Sequence, residues 1–361
     1  MRFRKRILNP LLFFINILAA LGFALALLAP FVPPSLFSIF AFAATGFPLL
    51  ILLNLLFLVW WLIQLNRRIL LPLITLAAGY FALGRTYRFG AAYQVIPESE
   101  KISLMSYNVR SFNRYQWLDD PAIPKKIEAL IDKEEPDIIL FQEYFHTDGL
   151  DLSDYPHRFF GDQKNGSTSG LAIFSRMPLA GGERIFLDEQ NRSYNLLKTH
   201  LKWRGQDIIL YNVHLASVGL EQPDYQALEN PDYEEGENLK SGLKNIVRRL
   251  HYAYRRRTGQ AEELKRHLAR DSGLVILGGD FNDVPQSYPY HLTDASMLDS
   301  FIEGGGHGFG NTFARGPLPL RIDYLWHSPG LKSRNYRVMK EELSDHYPLM
   351  ADFILTGPAV N

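Results

Sequence analysis

The string Gly278-Gly279-Asp280-Phe281-Asn282-Asp283 is followed downstream by Arg321-Ile322-Asp323-Tyr324 and then by Ser344-Asp345-His346-Tyr347-Pro348. Carboxylates, an amide and an imidazole are the side chains that metal-assisted attack on a phosphate ester requires. Two earlier segments, Ser106-Tyr107-Asn108-Val109-Arg110 and Phe141-Gln142-Glu143, add another amide and another carboxylate. A phosphodiester repels anionic nucleophiles and its leaving oxygen gathers charge, so the chemistry calls for a hard cation. Oxygen ligands such as Glu143 and Asn108 select Mg²⁺ or Mn²⁺ over zinc, which favours His and Cys. Asp323 and His346 read as a carboxylate–imidazole pair, the carboxylate fixing the ring tautomer and favouring its protonated form. His214 closes the run Tyr211-Asn212-Val213 and offers a second imidazole to a scissile phosphate or leaving oxygen. Asn212, two residues earlier on the same strand face, is placed to support it.

Taken singly, each of these residues has an ordinary reading. Asn ends many strands, a strand-end Glu is commonly solvated, Gly-Gly-Asp caps helices, and a lone His usually lies on the surface or in a satisfied core. Taken in order, the set resembles the endonuclease/exonuclease/phosphatase superfamily, the DNase I-like metal-dependent phosphoesterases, over roughly residues 101–356. The resemblance implies a four-layer α/β sandwich, two packed mixed β-sheets flanked by helices. It implies that Glu143, Asn108 and Asp345 form the metal side, that Asp280 orients or deprotonates the attacking water, and that Asn282 holds the phosphate. It leaves open whether His346 acts as base or as stabiliser of the phosphorane-like charge. Asp283 is a structural neighbour, and Ser169-Gly170-Leu171-Ala172-Ile173-Phe174-Ser175-Arg176 is a core strand. The expected substrate is a phosphodiester, first a nucleic acid, because DNase-like members are the broadest match. Phospholipid-head or sphingomyelinase-like phosphodiesterase and inositol-phosphate phosphatase are the alternatives. A non-catalytic membrane interaction protein is the competing class, and the competent residue at every expected active-site position speaks against it.

These groups must be positioned by strands. Short apolar runs alternating with helical patterns predict strands at Ile102–Asn108, Asp137–Gln142, Leu171–Ser175, Asn195–Leu201, Asp207–His214, Leu274–Gly279, Ile322–His327 and Leu349–Leu355. Helices are expected at Pro124–Glu134 and Leu239–Ala269, the second kinked or divided at Thr258-Gly259. His214 and Asp280 stand further apart than compact members require. The insert holds an acidic stretch, Glu221 to Glu237, and a basic helix with Arg248-Arg249 and Arg255-Arg256-Arg257. That helix reads as a solvated face opposite Leu243, Ile246, Val247, Leu250 and Tyr254, or as a phosphate-binding surface. The paired glycines before Asp280 are expected to let substrate approach the backbone.

The N-terminal part has a different composition. From Ile7 to about Leu83 its only charged side chains are Arg67 and Arg68. Transmembrane helices are expected at about 7–28, 40–65 and 69–83. The first is closed by Pro30, Pro33 and Pro34; the third is short and contains Pro72 and Gly79. This divides the chain into a membrane domain (1–93), a linker (94–100) and a catalytic domain (101–361). Arg2, Arg4, Lys5 and Arg6 with Arg67 and Arg68 place the N-terminus and the second turn in the cytoplasm, so a crossing third segment carries the catalytic domain outside the inner or plasma membrane. Arg85 and Arg88 oppose that orientation. The balance of 38 basic against 38 acidic residues excludes a polycationic protein built for bulk nucleic-acid binding, and the absence of Cys excludes disulfides and thiolate chemistry.

Overall fold

The computed structural model describes residues 2–164, 167–188, 195–219 and 236–356; the acidic stretch of the insert lies outside them through residue 235. Five helices come first: α1 (Arg2–Leu28), α2 (Ile39–Thr45), α3 (Phe47–Ile63), α4 (Leu70–Ala78) and α5 (Tyr80–Thr86). Four follow: α6 (Ile123–Glu134), α7 (Gly236–Arg270), α8 (Tyr288–Asp294) and α9 (Ser300–Glu303). The strands are β1 (Arg88–Phe89), β2 (Ile102–Asn108), β3 (Ile138–Phe145), β4 (His157–Lys164), β5 (Ser167–Ser175), β6 (Leu179–Ile185) and β7 (Leu196–Trp203). They continue with β8 (Gln206–His214), β9 (Leu274–Asp280), β10 (Leu298–Asp299), β11 (His307–Gly308), β12 (Asp323–His327), β13 (Leu331–Val338) and β14 (Leu349–Leu355).

Two six-stranded mixed sheets form, in the orders β13-β14-β2-β3-β5-β4 and β10-β12-β9-β8-β7-β6. The central strands are apolar on both faces because each sheet is covered twice. Leu104, Leu140 and Ile173 of one sheet meet Leu210, Ile276 and Leu325 of the other in the middle layer. Met105, Ile139 and Phe141 face outward onto Ile123, Ile127 and Ile131 of α6. On the far side Tyr211, Val275 and Leu277 pack against Leu264 and Leu268 of α7. Helix, sheet, sheet, helix is the four-layer sandwich that was expected.

The expected strands do not include β4, β6, β10 and β13, nor the two-stranded ladder of β1 with β11. β4, β6 and β13 are sheet edges. Edge strands tolerate charge and glycine, as in Leu179-Ala180-Gly181-Gly182-Glu183-Arg184, so the apolar run that signals a central strand is missing. Helix α7 runs through Thr258-Gly259 as one element, contrary to the expected break.

The N-terminal helices also depart from three simple spans. Leu8–Phe31 is long and apolar enough to cross a membrane, but the second stretch bends by 68° between α2 and α3 and the third by 61° between α4 and α5. Pro48 in the first turn of α3 disfavours helix through the preceding residues, and Gly79 breaks the third. A Cβ on Gly79 would fall 2.5 Å from the Phe23 ring, so glycine there also permits α1 to approach. At one end of this layer Asn9 Nδ2 donates to Gln64 Oε1 at 2.9 Å, and the Arg68 guanidinium covers Phe13 and Trp61. The other end docks on the sandwich. Ala29 and Ala44 pack with Val284 and Ile322, Thr45 Oγ1 lies 2.7 Å from the Tyr254 hydroxyl, and Arg85 pairs with Asp294 at 2.6 Å. The expected linker is tied down too: the Gln94 backbone exchanges two hydrogen bonds with Asn335.

Candidate active site

Strand periodicity brings the polar groups together. Along β2, β3 and β8 the inward positions change from Leu or Ile to Ser106, Gln142 and Asn212, and then to Asn108 and His214 at the strand ends. Gln142 Nε2 donates to Asn212 Oδ1 at 2.7 Å and to Ser106 Oγ at 3.2 Å. Asn212 Nδ2 donates to the carbonyls of Phe141 and Ala172, each at 2.9 Å. Asn212 therefore bonds across to the opposite sheet, and the support it was expected to lend His214 is not what its amide provides.

Register does the rest. His214 stands opposite Asp280 in the parallel β8–β9 pair, and Asp280 opposite Asp323 in the antiparallel β9–β12 pair. Glu143 reaches the same end by a different device. The β3–β5 register shifts between Phe141 and Tyr144, Tyr144 joins the outward core, and Glu143 takes a φ of 50°, a backbone state that non-glycine residues hold only when their surroundings enforce it. The glycines before Asp280 let neighbouring strands pack closely. A Cβ on Gly279 would lie 2.0 Å from the Val213 carbonyl oxygen, and one on Gly278 2.6 Å from Leu140 Cδ1.

Asp280 is fully buried and is the hub. Its Oδ1 accepts from the Asn282 amide at 2.8 Å, and its Oδ2 accepts from Asn108 Nδ2 at 3.0 Å and Asn282 Nδ2 at 3.1 Å. Two imidazoles flank the same oxygen, His214 Nε2 at 3.5 Å and His346 Nε2 at 3.7 Å. His346 Nδ1 faces Asp323 Oδ2 at 2.9 Å, which leaves Nε2 as the ring atom turned to the hub. Burial alone would lower the His346 pKa, but the carboxylates of Asp323 and Asp280 outweigh it and hold the ring well above the usual histidine value. Burial pushes Asp323 up to about 6 against the pull of His346.

The expected metal residues divide. Asn108 Nδ2 lies 3.4 Å from Glu143 Oε1, while Asn108 Oδ1 accepts from the Arg110 amide at 3.1 Å; the amide nitrogen, not the oxygen, faces the carboxylates. Asp345 lines the same cavity as Glu143, but its Oδ2 accepts from Arg110 Nη1 at 2.6 Å and its Oδ1 lies 3.3 Å from Ser344 Oγ. Among the described residues the cluster with metal-ligand spacing is Asp280, Asp323 and His346. The Asp323–His346 hydrogen bond engages two of its members, and Glu143 lines the same cavity as Asp280. His214 Nε2 has no hydrogen-bond partner and is buried, within 4.0 Å of Glu143 Oε1. An orphaned donor or acceptor aimed at two carboxylates fits a site that takes a further polar group.

Two arginines were missed. Arg110 carries no role in its motif by sequence. Arg257 belongs by sequence to a solvated or phosphate-binding helix face, yet it is 1% exposed. Its Nε lies 3.3 Å from Asp283 Oδ2, and Nη1 donates to the Asn282 carbonyl. It thereby holds the turn that carries Asn282, whose φ is 53°; removing one partner of such a buried pair costs about 3–5 kcal/mol. Val247, expected on the apolar face, is exposed.

Residues 105–346 match the Endonuclease/Exonuclease/phosphatase family, and residues 9–86 match a domain of unknown function (DUF8431). No curated protein matches the chain. Its fold is similar to that of an endonuclease/exonuclease/phosphatase from Beutenbergia cavernae DSM 12333, with TM-score 0.51, 19% identity and 73% of each chain covered. It is also similar to one from Bacteroides vulgatus, with TM-score 0.51, 18% identity, and 71% of this chain and 99% of that one covered. A third similar structure is humanized D. rerio TDP2, with TM-score 0.50, 16% identity, and 70% and 98% covered. The family match includes Asn108, Glu143, His214, Asp280, Asp323 and His346, and the chain belongs to the Endonuclease/Exonuclease/phosphatase family, the metal-dependent hydrolases of phosphate esters.

Proposed function

We propose that the chain is a membrane-anchored phosphodiesterase whose reaction centre is Asp280, with His346–Asp323 and His214 on either side of it. The observation that carries this reading is the convergence of two imidazoles and two amides on one buried carboxylate. Glu143 and Asp280 would hold Mg²⁺ or Mn²⁺, with Asn108 steadying both carboxylates. The ion, when bound, supplies positive charge to a phosphoryl oxygen and to the leaving oxygen. Asp280 orients the attacking water and accepts its proton. Asn282 and His214 position the phosphate. His346, kept protonated by its carboxylate neighbours, stabilises the charge that builds on phosphorus rather than acting as base. The test is hydrolysis of bis(p-nitrophenyl) phosphate by the full chain in detergent. Turnover with Mn²⁺ or Mg²⁺ that stops in chelator supports the reading, and turnover indifferent to chelator contradicts it.

The anchor reading places α1, α3 and α4 in the bilayer and the catalytic domain outside it. Support comes from the shared ends: the N-terminal part of α1 meets the α3–α4 turn, whereas the turn after α1 and helix α5 meet the sandwich. Helices α2 and α5 then lie at the membrane surface. Arg85 and Arg88, which oppose this orientation, are engaged by Asp294 and by the Ile302 carbonyl. A C-terminal alkaline phosphatase fusion is expected to be active and a C-terminal green fluorescent protein fusion dark. The reverse pair would put the catalytic domain in the cytoplasm.

A further inference from the structure

The cavity at Asp280 is lined by two unlike sets of side chains. Its volume is about 410 Å³, the scale of a ligand pocket. Its lining includes the polar Glu143, Asp280, Asn282 and His346, and also Val284, Phe313, Leu320, Ile322 and Thr45. Thr45 belongs to α2, so the N-terminal helical layer supplies part of the wall. The apolar lining is continuous with that layer: Phe313 and Leu320 pack, together with Phe40, on the cluster of Ala29, Ala44, Val284 and Ile322. Phe40 in turn lines a second apolar cleft with Phe31, Leu36 and Phe37, three side chains that are 64%, 69% and 62% exposed. Packed apolar side chains thus run from the exposed turn after α1 to the wall of the cavity.

Building on the phosphoesterase reading, we propose that the substrate is a phospholipid of the anchoring bilayer, its phosphodiester at Asp280 and its acyl end along the Phe313, Leu320 and Thr45 wall. Such a wall has no use for a nucleic acid, which needs cationic groups along its backbone and open rings for its bases. Both arginines that line the cavity are committed to carboxylates, Arg110 to Asp345 and Arg257 to Asp283. The Phe313 ring packs against His346 in a T-shaped contact with centroids 5.3 Å apart. A bilayer substrate also accounts for the exposed Phe31, Leu36 and Phe37 in the turn between α1 and α2.

The experiment uses the full chain in phosphatidylcholine vesicles with Mn²⁺. The probes are phosphatidylglycerol, phosphatidylethanolamine and phosphatidylcholine, each as long-chain and as dibutyryl forms, with bis(p-nitrophenyl) phosphate and a DNA oligonucleotide alongside. At least one long-chain lipid is expected to exceed its dibutyryl form in kcat/KM by about tenfold or more, the effect of burying two further methylenes. Thr45→Trp and Leu320→Trp, which fill the cavity from its apolar lining, are expected to lower the ratio of lipid to bis(p-nitrophenyl) phosphate turnover by a similar factor. Turnover of bis(p-nitrophenyl) phosphate with no lipid cleaved, no chain-length preference, or faster cleavage of DNA than of any lipid would overturn the lipid proposal alone. Failure on every probe would overturn the phosphoesterase reading beneath it.

Discussion

Replacing His346 by Ala is expected to lower kcat by roughly 10²- to 10⁴-fold, the range that a positioned acid–base or charge-stabilising side chain contributes. Asp323→Ala should come close to the same loss, because His346 Nδ1 is held at 2.9 Å from Asp323 Oδ2 and the ring loses both its orientation and its charge when the carboxylate goes. The double variant should then cost little more than His346→Ala alone, since residues that act as a unit are strongly non-additive. Asp323→Asn separates the two effects: an amide keeps the shape but not the charge, so partial activity would assign part of the loss to orientation. Losses that multiply in the double variant would mean that the two side chains work independently.

Glu143→Gln is expected to raise the Mn²⁺ concentration needed for half-maximal activity by at least about 100-fold, the upper end of what is lost when a residue merely supporting a metal ligand is removed. Thermal stability should hardly change. The Glu143 carboxylate is more than a third exposed, and its backbone is fixed by the β3–β5 bulge and by Tyr144 in the outward core, which the substitution leaves intact. Metal titration of activity beside a melting curve checks both halves. Undiminished activity of Glu143→Gln in chelator would remove Glu143 from the metal site.

The central strands were legible because a strand covered on both faces must be apolar throughout, and β2 and β14 fall at the bounds read from sequence. Glu143 was placed at the mouth of the sheet from its position after an apolar run, although the bulge that turns it inward is a register event and leaves no periodic trace. Arg257 shows the opposite failure. A basic run on a helix ordinarily faces water, and only the partner Asp283, distant in sequence, makes its burial tolerable. The same holds for Asn212: its place on the His214 face was right, but its partners, Gln142 and two carbonyls, lie on the other sheet. Breaks at Gly46 and Gly79 were hidden inside apolar runs whose composition says bilayer or core and says nothing about direction.

The central claim is that water, set by Asp280, attacks phosphorus. Hydrolysis of bis(p-nitrophenyl) phosphate by the full chain with Mn²⁺ in isotopically heavy-oxygen water, followed by phosphorus NMR and mass spectrometry of both products, tests it directly. The account predicts that the heavy oxygen enters the phosphomonoester and that p-nitrophenol carries none. Label in the phenol would show attack at carbon and contradict it, as would an unlabelled phosphomonoester.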